Sequence, residues 1–513
     1  MPKAEGGEVT REEMKELAKT AFAKAEARGA AAKAEGVQED VHGLVFHNNY
    51  ERISLVVGAL TLLCIGPPIG IVIGSTVVLE AIDRGFKGGL VESNNELTGV
   101  IFGKLVPWFE RVTKPFNSKL VKHADDAFLV NFGAYMAIGM PLLLTTFGRW
   151  HLEAQSSLAM YLLAYCYHVI RIGPFFMNFA YVYSVCHKEG HAAAARNGLF
   201  RPPFDKTGPF RYIFNWWIGL YFGVLPSTFA IGHSINHHRY NNGPSDIIST
   251  ADKPRDEWRW LVAYIPRFML YACNVSTTFQ FLKEGKPKTA AQTVAGTLYY
   301  LVFAGLVART YGAWFSLAYI IYPFLEQAVM LSGINWVWHA FLDPDDVENE
   351  YVASITILGG TINVLNEDSH VVHHQYPGVH WSAHPRLMTK HLGQYDQSVG
   401  SVFYGTHTFE MLALILMADY DKLADRFVGH MPENAEAELF GCGTHDKDSV
   451  ARPTCPISHD AAKELIKARL RVCWWGPRAK GEADLSGGTG FALAHEWDEG
   501  GTVGWEGDKV KKS

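Results

Sequence analysis

The segment Ile213-Phe-Asn-Trp-Trp-Ile-Gly-Leu-Tyr-Phe222-Gly-Val-Leu-Pro-Ser-Thr-Phe-Ala-Ile-Gly232 runs without a charge into His233-Ser-Ile-Asn-His237-His238. It is long enough to cross a bilayer, which takes about 20 apolar residues. Whether it crosses decides which parts of the chain can meet. Other uncharged runs flank it: Ile53 to Leu79, Ala127 to Gly148, Thr289 to Ala308, and Thr310 to Trp338, which is broken only by Glu326. Ala154 to Cys186 is apolar and aromatic, with Arg171 as its one formal charge. So many long apolar runs do not belong to a soluble core and define a polytopic membrane protein. Gly66-Pro67-Pro68 splits the first run, so a re-entrant hairpin and a single crossing both fit it.

Three further histidine groups lie outward from His233. They are His187-Lys-Glu-Gly-His191, then His339 at the end of Asn335-Trp-Val-Trp-His339, then His370-Val-Val-His373-His374. Residues three or four apart share a helix face. His187 and His191 can therefore address one ion, as can His370, His373 and His374. In the middle group His233 and His237 share a face, and His238, turned about 100° away, points toward a second ion. Nine imidazoles exceed what one ion takes and suit two ions with four or five ligands each. Imidazole accommodates Zn, Cu, Fe and Ni. A membrane setting and an all-nitrogen shell favour two irons that activate O₂ against C–H bonds. Isolated histidines such as His168 and His407 read as packed residues.

One site requires all four groups on one side of the membrane, hence an even number of crossings between successive groups. Two runs separate His238 from His339. Only 213–232 separates His191 from His233, so it is predicted to lie in the interface, where Trp216, Trp217, Tyr221 and Phe222 suit it. The weaker apolar stretch 351–365 must also not cross. Four spans follow: 127–148, about 160–183, 289–308 and 312–338. Seven Lys/Arg in 83–126 and thirteen in 187–288 place the histidine side in the cytosol. The expected fold is an all-α integral membrane protein with about four transmembrane helices under a cytosolic helical cap. Its parts are a polar cytosolic segment 1–50, a hydrophobic segment and loop 51–126, a membrane domain 127–419 and a soluble tail 420–513. Residues 12–34 read as a solvated helix opened by the capping pair Thr10 and Glu13.

The 513 residues are 48% hydrophobic and 19% charged, with net charge −6 and 22 histidines. These values exclude a disordered or collagen-like chain, and nothing in them suggests a nucleic-acid partner. The mean hydropathy of +0.00 averages polar ends with apolar spans. Seven scattered cysteines read as reduced thiols. Cys442, His445, Cys455 and His459 have zinc-ligand types but no finger spacing, and read as coincidence. The first fifty residues hold no apolar core of a secretory signal. The sequon Asn274-Val-Ser276 would face the cytosol and stay unmodified.

Over roughly residues 127–385 the sequence resembles the membrane fatty acid desaturase superfamily of desaturases, lipid hydroxylases and alkane monooxygenases. The resemblance rests on the three histidine boxes in order, the Asn335…His339 pair, and Asn366-Glu-Asp-Ser-His370-Val-Val-His373-His374-Gln-Tyr-Pro377. It implies a mushroom-shaped helical fold and a di-iron centre held by His187, His191, His233, His237, His238, His339, His370, His373 and His374. It also implies that Asn335 approaches one iron through a water, that O₂ is co-substrate, and that a lipid or acyl chain is the substrate. The middle box departs from the HxxHH of many desaturases. Its HxxxHH spacing also occurs in alkane and aryl-methyl monooxygenases, which keeps hydroxylation open beside desaturation. A non-catalytic heme- or metal-binding membrane protein is the distant alternative. No His-Pro-Gly-Gly heme motif occurs in either tail, so the electron donor is expected to be a separate cytochrome b5 or ferredoxin, and the location to be the endoplasmic reticulum. Glu189, Asp246, Glu367 and Asp368 are candidates to orient the histidines.

Overall fold

The computed structural model describes residues 49–87, 105–432 and 453–473, together with Ala435, apart from 174–175, 196–197, 203, 205–210, 244 and 361. The helix expected at 12–34 and two members of the Cys442, His445, Cys455, His459 set lie outside these residues. The fold is mostly helical. Its helices include α1 (Asn49–Lys87), α2 (Phe128–Glu153), α3 (Ser157–Ile172), α4 (Met177–Ala194), α5 (Trp258–Ala272), α6 (Pro287–Tyr311) and α7 (Tyr322–Trp338).

Four helical stretches are long and apolar enough to span a membrane: Glu51–Val78, Ala124–Glu153, Pro287–Tyr311 and Ala313–Trp338. Their outward faces carry large apolar side chains in the open, among them Ile53, Leu63, Leu142, Leu301 and Leu306. Such a belt is stable only against lipid.

One open alternative is decided here and one expectation changes. Ile53 to Leu79 is one continuous helix, with Pro67 and Pro68 inside it, and not a hairpin. In an apolar medium the backbone has no water to bond, so the helix continues past the interruption. The span expected at about 160–183 is instead a pair of helices, α3 and α4, bent by 59° at Gly173–Phe176. Gly173 at φ +76° ends α3, a conformation that costs glycine little. α3 is pinned to α7 by Arg171 and Glu326, both buried, whose Nη2 and Oε2 atoms form an ion pair. His168 is packed there as expected, its Nε2 against Ala318 O and its Nδ1 accepting from Arg171 Nε.

Segment 213–232 contains no spanning helix. It breaks into a turn at Ile213–Trp216, a 3₁₀ turn at Ile218–Phe222 and a π-helix from Thr228. Its aromatics do not form a surface belt, however. Tyr221 and Phe222 are fully buried and Trp216 and Trp217 half-buried. Two residues of α4 hold the segment inward: the Glu189 carboxylate accepts from Phe214 N, Asn215 N and Asn215 Nδ2, and the Tyr183 hydroxyl donates to Phe222 O.

The stretch 351–365 does not cross either. It holds a short strand β1 (Thr356–Leu358), which pairs in parallel with β2 (Val402–Tyr404). α8 (His370–Gln375) follows β1. The helix α9 (His459–Arg471) docks on the cap, its Leu470 and Arg469 carbonyls accepting from Arg255 N at 2.9 Å and Leu342 N at 3.1 Å. Asn274 of the sequon is fully buried, and its amide bonds Pro226 O and Thr297.

Candidate metal centre

All nine histidines of the four groups are buried and converge at the cap ends of α4 and α7. They sort into two sets. One ring nitrogen from each of His187, His191, His233, His238 and His373 lies within 4.8 Å of the others, as does one from each of His237, His339 and His374. His370 joins the second set, its Nε2 3.3 Å from His339 Nε2. In the first set Nε2 of His233 is 2.7 Å from His187 Nε2 and 2.9 Å from His238 Nε2.

The sorting differs from the sequence reading at two points. His233 pairs with His238, and His237 goes to the other set. The chain from Thr228 to His237 is wound as a π-helix, in which residue i bonds i+5, and His238 N donates to His233 O. Residues five apart then meet. On α8, His370 and His374 turn to one set and His373 to the other, so these three do not share an ion.

A close approach makes this packing possible. A Cβ on Gly190 would sit 2.6 Å from Phe229 Cβ and 2.9 Å from Phe229 C. Only glycine there lets α4 lie against the π-helix, which brings His187 and His191 to His233 and His238.

Four of the nine rings have a partner at Nδ1, which leaves their Nε2 facing inward, whereas Nδ1 of His238, His370 and His374 is buried without one. His187 Nδ1 donates to Glu367 Oε1 at 2.9 Å and His237 Nδ1 to Asp246 Oδ2 at 2.6 Å. His339 Nδ1 donates to Ala353 O at 3.1 Å, and Ser234 Oγ lies 3.3 Å from His191 Nδ1. Of the four carboxylates expected near the ligands, Glu367 and Asp246 take this role. Glu189 holds the 213–216 turn, and Asp368 touches no histidine among the described residues.

Burial first, and then the crowding of imidazoles that would repel one another if protonated, with Lys188 beside His373, hold His233, His238, His370, His373 and His374 well below the usual imidazole range. They are therefore neutral, the form that binds metal. Burial alone would raise Glu367, but His187 and Lys188 bring it down to about 2. Nε2 of His237, His373 and His374 are buried without a hydrogen-bond partner. Ligands on opposite sides of one ion are separated by about twice a metal–nitrogen bond of about 2.0–2.1 Å. Both sets fit a metal ion on that measure.

Asn335 is buried beside the site, and its Nδ2 donates to Tyr264 Oη at 2.8 Å and Ile248 O at 3.2 Å. Residues missing from the sequence reading are Lys188, whose Nζ lies 3.0 Å from Glu367 Oε1, and His384, whose ring centroid is 5.8 Å from that of His373. Lys188 stands inside the first box, and only its burial marks it. His384 carries no spacing signal.

A cavity of about 140 Å³ leads from His187 and His233 into the bundle. Phe179, Phe229, Phe268, Leu225 and Leu331 line it, with Gln327, Asn335 and, at the histidine end, Glu367 and Asp368 among its polar points. His407 also lines it and caps the next helix, accepting from Glu410 N.

A helical membrane protein with a cap enclosing two histidine sets able to hold metal is the class that fold and site define. The family model described as Fatty acid desaturase matches residues 127–406, over half of the 513-residue chain, and the chain belongs to that family. Membership makes it an oxidoreductase. Comparison with curated proteins and with solved structures finds no match.

Proposed function

We propose that the protein introduces a double bond into a fatty acyl chain of a lipid. The reaction uses O₂, two irons held by the nine histidines, and electrons from a separate donor of the cytochrome b5 or ferredoxin type. The observation that carries this reading is the apolar cavity ending on His187 and His233. Bound in the two sets, iron supplies O₂-dependent oxidation of an unactivated C–H bond.

The chain's own residues do the rest. Phe179, Phe229 and Leu331 exclude water and hold an alkyl chain by area burial, worth about 0.8 kcal/mol per methylene. Glu367 and Asp246 fix the ring orientation of His187 and His237. Asn335, tied to Tyr264 and lining the cavity, is the residue that would approach one iron through a water. The basic loops favour a cytosolic histidine side and docking of an acidic donor. That arrangement suits the endoplasmic reticulum membrane.

The HxxxHH spacing of His233, His237 and His238 supports a second reading, hydroxylation of a lipid or alkane by the same site. Lipid analysis of a host expressing the protein, beside a His373→Ala control, tests both. A product lighter by two hydrogens supports desaturation, and one heavier by an oxygen supports hydroxylation. No product specific to the unaltered protein would refute both.

A further inference from the structure

The two histidine sets are not equivalent in what surrounds them: a lysine ammonium sits directly on the carboxylate of one, whereas the cation nearest the carboxylate of the other, Arg267, is bonded to Asp252 and to Ser249 O instead. Each set has one carboxylate on a ligand ring. Asp246, behind His237, is otherwise occupied by neutral donors. Asn242 N reaches its Oδ2 at 3.1 Å and Ile248 N its Oδ1 at 3.0 Å. Glu367, behind His187, shares the same oxygen, Oε1, between His187 Nδ1 at 2.9 Å and Lys188 Nζ at 3.0 Å. Its Oε2 has no hydrogen-bond partner. Lys188 is 5% exposed, so water does not screen its charge. It has no other carboxylate partner among the described residues, because neighbouring Glu189 is spent on the 213–216 turn.

A carboxylate on the outer nitrogen of a ligand imidazole makes that imidazole a stronger donor to metal. A cation on the same oxygen withdraws part of that effect and adds its own positive field. Both act in one direction, favouring the reduced ion. We propose that Lys188 is a positioning and tuning residue: through Glu367 and His187 it raises the reduction potential of the ion in the five-histidine set above that of the ion in the four-histidine set. The chamber opens on His187 and His233 of that same set. The first electron is thereby directed to the metal nearest the substrate. This inference rests on the di-iron reading above.

The test is a redox titration of ⁵⁷Fe-loaded full-length protein in lipid nanodiscs, followed by Mössbauer spectroscopy, which reports each iron separately. K188M should lower the reduced-to-oxidised ratio of one iron about tenfold at fixed poise, about 59 mV for a one-electron step, and leave the other in place. K188R, which keeps the cation, should restore the wild-type ratio. In an E367Q background K188M should shift it far less. Unchanged ratios in K188M, equal shifts at both irons, or failure of K188R to restore would overturn the proposal. If K188M and K188Q each lose one iron while K188R keeps both, the cation holds the site together and does not tune its potential, which would overturn the proposal. Loss from all three would mean that side-chain volume matters, and would overturn it. Wild-type protein without iron would refute the functional reading instead, so the two failures are distinguishable.

Discussion

Asp246→Asn isolates the role of a carboxylate that touches no metal. Three donors converge on Asp246: His237 Nδ1 at 2.6 Å, Asn242 N at 3.1 Å and Ile248 N at 3.0 Å. An amide has one acceptor oxygen. If that oxygen keeps His237 and Asn242, the NH₂ group faces Ile248 N, donor against donor. If it flips, the NH₂ faces His237 and forces Nδ1 to accept, so the proton moves to Nε2, the atom that must bind metal. Either outcome removes the negative charge behind His237. Hydrogen bonds to charged groups contribute about 1.5–3 kcal/mol, and loss of such partners lowers metal affinity about 10–100-fold. The assay is iron retention by the purified, folded protein against increasing chelator, with Glu189→Gln as comparison. Glu189 bonds only the 213–216 turn, so its variant should lower thermal stability by about 1–3 kcal/mol without a selective loss of one iron. Wild-type chelator resistance in folded D246N would refute the reasoning.

The buried histidines give a pH dependence of defined sign. In the unfolded chain they take up protons below about pH 6.5, whereas burial keeps His233, His238, His370, His373 and His374 neutral in the fold. The unfolded state then binds more protons, so stability falls as pH drops below that value, by about 1.4 kcal/mol per pH unit for each proton. Iron release and loss of helical circular dichroism on acid titration should both begin there. Arg171→Met leaves Glu326 buried and uncompensated, at a cost of about 3–5 kcal/mol. R171M should inactivate at lower temperature in detergent, and R171M/E326L should recover. Ala272→Phe places a ring in the 140 Å³ cavity. It should abolish turnover while iron content stays at the wild-type level.

Much of this was legible because apolar length and histidine spacing are local signals. The spans at 127–148, 289–308 and 312–338 are helices, and the parity of crossings rightly kept 213–232 from spanning. What failed depended on winding and on partners distant in sequence. Nothing in Thr228 to His237 announces a π-helix, so the partner of His233 was read at i+4 and lies at i+5. The burial of Tyr221 and Phe222 goes with partners on other helices, Phe303 against Tyr221 and the Tyr183 hydroxyl on Phe222 O. Gly66-Pro67-Pro68 left a hairpin and a crossing open, because the sequence does not say whether that backbone has water to bond, and the continuous helix selects the crossing. Lys188 stood in view inside the first box, but its significance came only with Glu367 beside it.

The central claim is that nine histidines hold two irons. The most direct measurement is metal analysis of the purified full-length protein together with Mössbauer and optical spectra. The account predicts two irons per chain, in two distinguishable nitrogen-rich environments, with no heme Soret band. A b-type heme spectrum, a single bound ion, or iron content unchanged in both His237→Ala and His373→Ala would contradict it.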